Sequence, residues 1–169
     1  MINYGRQLID EEDIQAVVDA LRSDWLTSGP ALDQFESMLA SSCGAKHAVA
    51  CNSGTAALHM AYAAAGIGPG SVVVVPANTF LATANAAVYL GADVRFCDVD
   101  PNTGLMTGET VQNVLDARVS AIVPVHFAGQ ACPMSSIRQV IRKCCPQAIV
   151  IEDASHAIGA MHEDGTPVG

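Results

Sequence analysis

The sequence predicts an α/β protein built on a mostly parallel sheet with helices on both faces. Three observations carry this. From residue 47 onward, short apolar segments alternate with segments of helical length. The apolar segments are continuous runs, such as "SVVVV" at 71–75 and "AIVIED" at 148–153. Strands covered on both sides read this way, whereas half-exposed strands alternate apolar with polar. The turns between segments carry Gly, Pro, Asn and Ser, which interrupt regular structure.

Each element follows from local chemistry. Asp10 and Asp13 supply an N-cap and a first-turn acid for a helix through "EEDIQAVVDALRS". "WLTSGP" breaks the chain, and "ALDQFESMLASSC" forms a second helix closed by Gly44. "HAVAC" (47–51) is expected as a strand, "GTAALHMAYAAAG" as a helix, and "SVVVV" as a strand ended by Pro76. "FLATANAAVYLG" is a helix, "DVRFCDV" a strand and "PNTG" a turn. A helix over 107–117 leads to the strand "SAIVPV", then the helix "SSIRQVIRKCC" and the strand "AIVIED". Strands joined through helices imply right-handed crossovers in one sheet.

Composition bounds the function. The net charge is −9 with no Lys/Arg cluster, which argues against a nucleic-acid groove. No window holds the roughly 18 uninterrupted apolar residues of a membrane span. The opening "MINYGRQLIDEEDIQ" lacks a basic-then-apolar signal pattern, so the chain is expected in the cytoplasm with no membrane partner. Six cysteines include no C-x-x-C pair and no metal-ligand spacing, and are expected as small reduced core residues. Cys144 and Cys145, near a helix end, are expected to be partly exposed and oxidisable.

In parallel sheets ligands bind beyond the carboxyl ends of the strands. After "HAVAC" stand Asn52, Ser53, Gly54 and Thr55, feeding a helix. This turn is either a phosphate cup of backbone N–H groups and hydroxyls or an ordinary N-cap. It is neither a P-loop nor a dinucleotide fingerprint, because both glycine patterns are absent. Phe80 follows the next strand, as a helix-start packing residue or as a flat face for a planar ligand. His126 is a site residue or a satisfied strand-end histidine. Asp153 ends the last strand, where it can bind magnesium, cap the next turn, or face a protonated ring nitrogen. Strand alternation turns Glu152 away from it, so the acidic pair does not make a magnesium site. Phosphate on Ser53–Thr55, a ring against Phe80 and a ring nitrogen against Asp153 together describe pyridoxal 5′-phosphate (PLP).

These residues fall in a known order. "WLTSGP" (25–30), "NSGTAAL" (52–58), "PANTFLAT" (76–83), "GADVRFCDVD" (91–100), "PVHFAGQ" (124–130) and "IEDASHAIGA" (151–160) resemble the DegT/DnrJ/EryC1/StrS sugar aminotransferases. The opening "YGRQLIDEEDIQAVVDALRSDWLTSGP" is most similar to the branch serving pseudaminic acid biosynthesis. The resemblance implies a three-layer sheet of the aspartate-aminotransferase-like large domain, present in part. It implies a helical segment over 1–35, a partial PLP-binding domain over 36–169, and a C-terminal small domain absent from the chain.

It further implies transamination of a UDP-linked 4-keto-6-deoxy sugar with glutamate as donor, by a homodimer. Ser53, Gly54, Thr55, Phe80, Asp153 and His156 correspond to cofactor-binding positions, with His156 near the ring 3-hydroxyl. Tyr4, Arg6, Trp25, Leu26 and Thr27 correspond to the region that approaches the sugar nucleotide. The Schiff-base lysine of the family falls beyond Gly169, and the chain's only lysines are Lys46 and Lys143. Residues 1–169 alone are therefore expected to bind PLP weakly and not to turn over. Two alternatives stand beside this: a PLP-dependent sugar dehydratase of the same family, in which histidine replaces the lysine, and a truncated, non-catalytic α/β module with a sticky sheet edge.

Overall fold

The structure, a computed structural model, describes residues 7–169. Helix α1 (Glu11–Arg22) opens with the capping box its sequence predicts. The Asp10 carboxylate accepts from the N–H groups of Glu12 and Asp13, and Asp13 accepts from the Asp10 N–H. Helix α2 (Pro30–Ser42) has proline in its first turn and ends at Gly44, whose φ of 63° is the left-handed stop expected of glycine. Neither helix buries a residue.

The core begins at α3 (Gly54–Ala64), followed by β1 (Val72–Pro76), α4 (Leu81–Tyr89) and β2 (Asp93–Cys97). Next come α5 (Gly108–Gln112), β3 (Val119–Ile122), α6 (Met134–Cys144) and β4 (Ile149–Val150). The four strands form one parallel sheet in the order β2-β1-β3-β4. The chain steps from β1 outward to β2 through α4, then crosses back over β1 to β3 through α5. Right-handed crossovers in opposite directions place their helices on opposite faces. Strand order thus reverses between β1 and β3, and a crevice opens there beyond their carboxyl ends.

Alternation along β1 divides the core. Val73 and Val75 meet Leu58 and Tyr62 of α3 and the alanines of α4. Val72 and Val74 meet Val111 of α5 and Ile137 and Ile141 of α6. All five residues of β1 are buried, as its unbroken apolar run predicts. Ala82, Ala84, Ala86 and Ala87 are buried on α4, together with the single polar side chain Thr83.

Four expectations need correction. Residues 47–51 form no strand. They pair with no strand of the sheet, Val49 is 74% exposed, and the Ala50 N–H is taken by the Glu36 carboxylate at 2.8 Å. Helix α5 is confined to 108–112 rather than 107–117; Thr107 caps its start, while Arg95 holds the Val114 carbonyl just beyond its end. The strands expected over 120–125 and 148–153 shorten to 119–122 and 149–150, Pro124 having no N–H for the ladder. Pairing resumes beyond it at a single parallel bridge, Val125 to Asp153. Of the six cysteines, all unpaired, only Cys97, Cys132 and Cys145 are buried; Cys144 is exposed as expected, but its neighbour is not. Burial pushes the Cys132 thiol up to about 12.

On the α6 face, Glu152 collects a polar network. Its Oε2 lies 3.0 Å from His126 Nε2 and 3.3 Å from His162 Nε2, and its Oε1 accepts from Arg138 at 2.7 Å. His126, fully buried, accepts the Cys132 N–H on Nδ1 at 2.9 Å. That bond leaves the neutral ring's proton on Nε2, directed at Glu152. Among the described residues, His126, Glu152 and His162 bring three potential metal ligands within 4.8 Å. The tautomer pairs them with one another, because His126 Nε2 carries a proton where a metal needs a lone pair. His126 is thus the satisfied strand-end histidine.

Two outcomes test this packing. Ile137→Ala removes a fully buried side chain and lowers unfolding free energy by about 2–5 kcal/mol in urea titrations followed by circular dichroism. For Glu152, burial pushes the carboxyl up, but bonds from His126 and Arg138 outweigh it and leave the folded-state value below the ordinary range. Its stabilisation is therefore complete at neutral pH and is lost as pH falls from about 4.3 through the lowered value. Glu152→Gln is less stable than wild type at pH 7, and the two stability curves converge on acidification.

Candidate active site

A cavity of about 220 Å³ lies at the reversal of strand order. Its wall includes Gly54 and Thr55 from the start of α3, Thr79 and Phe80 after β1, Val125 and Phe127 after β3, and Asp153, Ser155 and His156 after β4. Four chain segments distant in sequence thus converge where parallel topology places a ligand.

The α3 end of the cavity is built by capping. Ser53 is the N-cap, its hydroxyl oxygen accepting from the Ala56 N–H at 3.2 Å, while its carbonyl accepts from Ala57. The N–H groups of Gly54 and Thr55 have no acceptor among the described residues. They stand at the positive end of an 11-residue helix. Gly54 also lets that end approach the opposite wall, since a Cβ there would sit 3.4 Å from the Ser155 hydroxyl. Phe80 precedes α4 with its ring 73% exposed, and is no helix-start packing residue.

Asp153 faces this cavity while 94% of it is removed from solvent, its relative exposure being 6%. Its backbone is pinned: the N–H donates to the Pro124 carbonyl at 2.9 Å, and the carbonyl accepts from His126 at 3.0 Å. Its Oδ1 accepts from the Ser155 hydroxyl at 2.7 Å and the Ser155 N–H at 3.2 Å, capping the next turn. Its Oδ2 accepts from the Thr83 hydroxyl at 2.8 Å. A carboxylate has room for about four such donors, so one acceptor direction on Oδ2 is left uncommitted.

The expected site residues divide. Gly54, Thr55, Phe80, Asp153 and His156 share the one cavity; Ser53 adjoins it as the cap but does not line it. His156 stands edge-on to Phe127, ring centroids 5.9 Å apart. Trp25, Leu26 and Thr27 are exposed and contribute nothing to this wall. Tyr4 and Arg6 lie outside the described residues. Lys46 and Lys143 are both exposed, and neither lines the cavity. Thr79, Thr83, Ser155 and Phe127 are additional to the expected set. An Asp-x-Ser pattern at 153–155 signals the turn cap, but no local pattern signals a bond between positions 83 and 153.

Comparison with known proteins identifies the family of the chain. The DegT/DnrJ/EryC1/StrS aminotransferase family matches residues 7–169. The chain is 44% identical over 155 residues to the spore coat polysaccharide biosynthesis protein SpsC of Bacillus subtilis, covering 92% of this chain and 39% of that protein. It is 41% identical over 162 residues to GDP-perosamine synthase of Caulobacter vibrioides, covering 95% of this chain and 43% of that one. The chain therefore spans about two fifths of the length of the curated relatives it matches. Among solved structures, the putative sugar aminotransferase Spr1654 of Streptococcus pneumoniae in its PMP form superposes with a TM-score of 0.90 at 29% identity, over 99% of this chain and 45% of that one. With its α/β fold, its parallel sheet and a match along almost its whole length, the chain belongs to the DegT/DnrJ/EryC1/StrS aminotransferase family.

Proposed function

We propose that the cavity binds pyridoxal 5′-phosphate or its pyridoxamine form (PMP), and that the chain is part of a nucleotide-sugar aminotransferase. One observation carries this reading: Gly54 and Thr55, whose N–H groups have no acceptor among the described residues, and Asp153, with one acceptor direction uncommitted, line the same small cavity, with the exposed Phe80 in its wall. That donor set fits a flat, anionic heterocycle. The helix end takes a phosphate, Phe80 covers a ring face and excludes water, and Asp153 accepts the N–H of a pyridinium. His156, on the same wall, is assigned to the ring 3-hydroxyl. When bound, the cofactor supplies the electron sink for moving an amino group between two carbonyl carbons. No lysine lines the cavity, so the pyridoxamine form, which needs no lysine linkage, is the better probe of this chain.

For the substrates, the opening stretch supports a UDP-linked 4-keto-6-deoxy-N-acetylhexosamine of pseudaminic acid biosynthesis as amino acceptor, with glutamate as donor. The relative named GDP-perosamine synthase favours a nucleotide-linked sugar in general. A homodimer accords with the exposed Ile14, Val17 and Leu21 of α1 and the exposed Trp25 and Leu26 after it. A cytoplasmic location is consistent with six unpaired cysteines. Among the described residues, no helix is long and apolar enough to cross a membrane.

Calorimetric titration with PMP tests the site. Wild type binds saturably, Asp153→Asn binds at least tenfold more weakly, and the distant Lys143→Ala binds as wild type does. Absence of saturable binding by wild type, or equal binding by Asp153→Asn, rejects the reading. Light scattering tests the assembly: the dimer gives twice the chain mass, and Val17→Asp with Leu21→Asp halves it.

A further inference from the structure

We infer that Thr83, with Thr79 behind it, is a positioning residue that fixes the Asp153 carboxylate and so selects for a ligand carrying a ring N–H. The inference rests on the cofactor reading above and adds residues that the reading does not require. Thr83 is completely buried, on the alanine-lined side of α4, where an unpaired hydroxyl costs about 1–3 kcal/mol. Its hydroxyl lies 2.8 Å from Asp153 Oδ2 and 2.7 Å from the Thr79 hydroxyl.

The direction of these bonds follows from valence. An ionised carboxylate only accepts, so the single Thr83 hydroxyl hydrogen goes to Oδ2. The Thr83 oxygen is then the acceptor of the Thr79 hydroxyl, and the relay runs Thr79 to Thr83 to Asp153. Ser155 holds Oδ1 from the other side with two donors. Gripped at both oxygens, the carboxylate cannot rotate without breaking a bond, and its one open acceptor direction is fixed.

The relay itself is anchored. The Tyr62 hydroxyl of α3 donates to the Thr83 carbonyl at 2.8 Å in the core. Burial, with the charge of Asp153 second, raises the Tyr62 phenol far above its ordinary range, so it remains a donor. Helix α3, which presents Gly54 and Thr55, and helix α4, which holds Asp153, are thereby tied together in the core.

The test compares two ligands, PMP and its 1-deaza analogue, in which a C–H replaces the ring nitrogen. Wild type prefers PMP by at least tenfold. Thr83→Val, nearly the same shape but without the hydroxyl, loses about tenfold in PMP affinity and less than twofold for the deaza analogue. Thr83→Ser restores PMP binding to within about threefold of wild type. A role confined to packing would weaken both ligands alike. If Thr83→Val lowers the melting temperature enough to obscure binding, Thr79→Val, which removes only the outer hydroxyl, shows the same selective loss at two- to threefold. Equal loss of both ligands, or no loss, overturns the inference alone. Equal affinity of wild type for both ligands overturns the ring-nitrogen reading and this inference with it.

Discussion

A carboxylate almost wholly removed from water is the constraint around which this chain is arranged. Asp153 sits where β4 has ended, and an unpaired charge there would cost several kcal/mol. The structure meets it with three donors from two segments, Thr83 of α4 and both the hydroxyl and N–H of Ser155. The parallel bridge to Val125 supplies the backbone half of the restraint. Without that bridge, the shortened strands β3 and β4 would not bring position 153 to the crevice.

The pleat of the strand then separates two kinds of polar chemistry. Asp153 points to the face of α3 and α4, and Glu152, one residue earlier, to the face of α6. Glu152 is engaged on both oxygens, by two histidines and an arginine, and so ties these elements together. Asp153 keeps an acceptor direction open on a cavity. Two adjacent acids are thereby given different surroundings by geometry alone, one holding elements together and the other left with an acceptor direction uncommitted.

Much of this was legible in the sequence, and the reasons are physical. β1 was readable because burial on both faces leaves nothing but branched apolar residues and a closing proline, and α4 because its buried side is rich in alanine. The capping box at Asp10 was readable because it is a local hydrogen-bond pattern. The convergence of Phe80, Asp153 and His156 was readable because strand ends in a parallel sheet face one way, whereas Gly54 and Thr55 reach the same cavity as the capped start of α3, after a segment that forms no strand. Residues 47–51 were not, since strand formation depends on a neighbouring ladder that local composition cannot report. Thr83 was hidden for a related reason: its partner is 70 positions away and the tie exists only in three dimensions.

The alanine-rich flank of α4 has a consequence for inheritance of change in this chain. Ala82, Ala84, Ala86 and Ala87 let the helix axis lie close against the sheet, and that closeness sets the reach of a hydroxyl one turn away. A bulkier side chain at position 86 or 87 touches nothing in the crevice, yet it would lever the helix outward and slacken the hold on the acid. Side-chain volume at these remote positions therefore bears on how firmly the carboxylate is held, and drift there is constrained by chemistry it never meets.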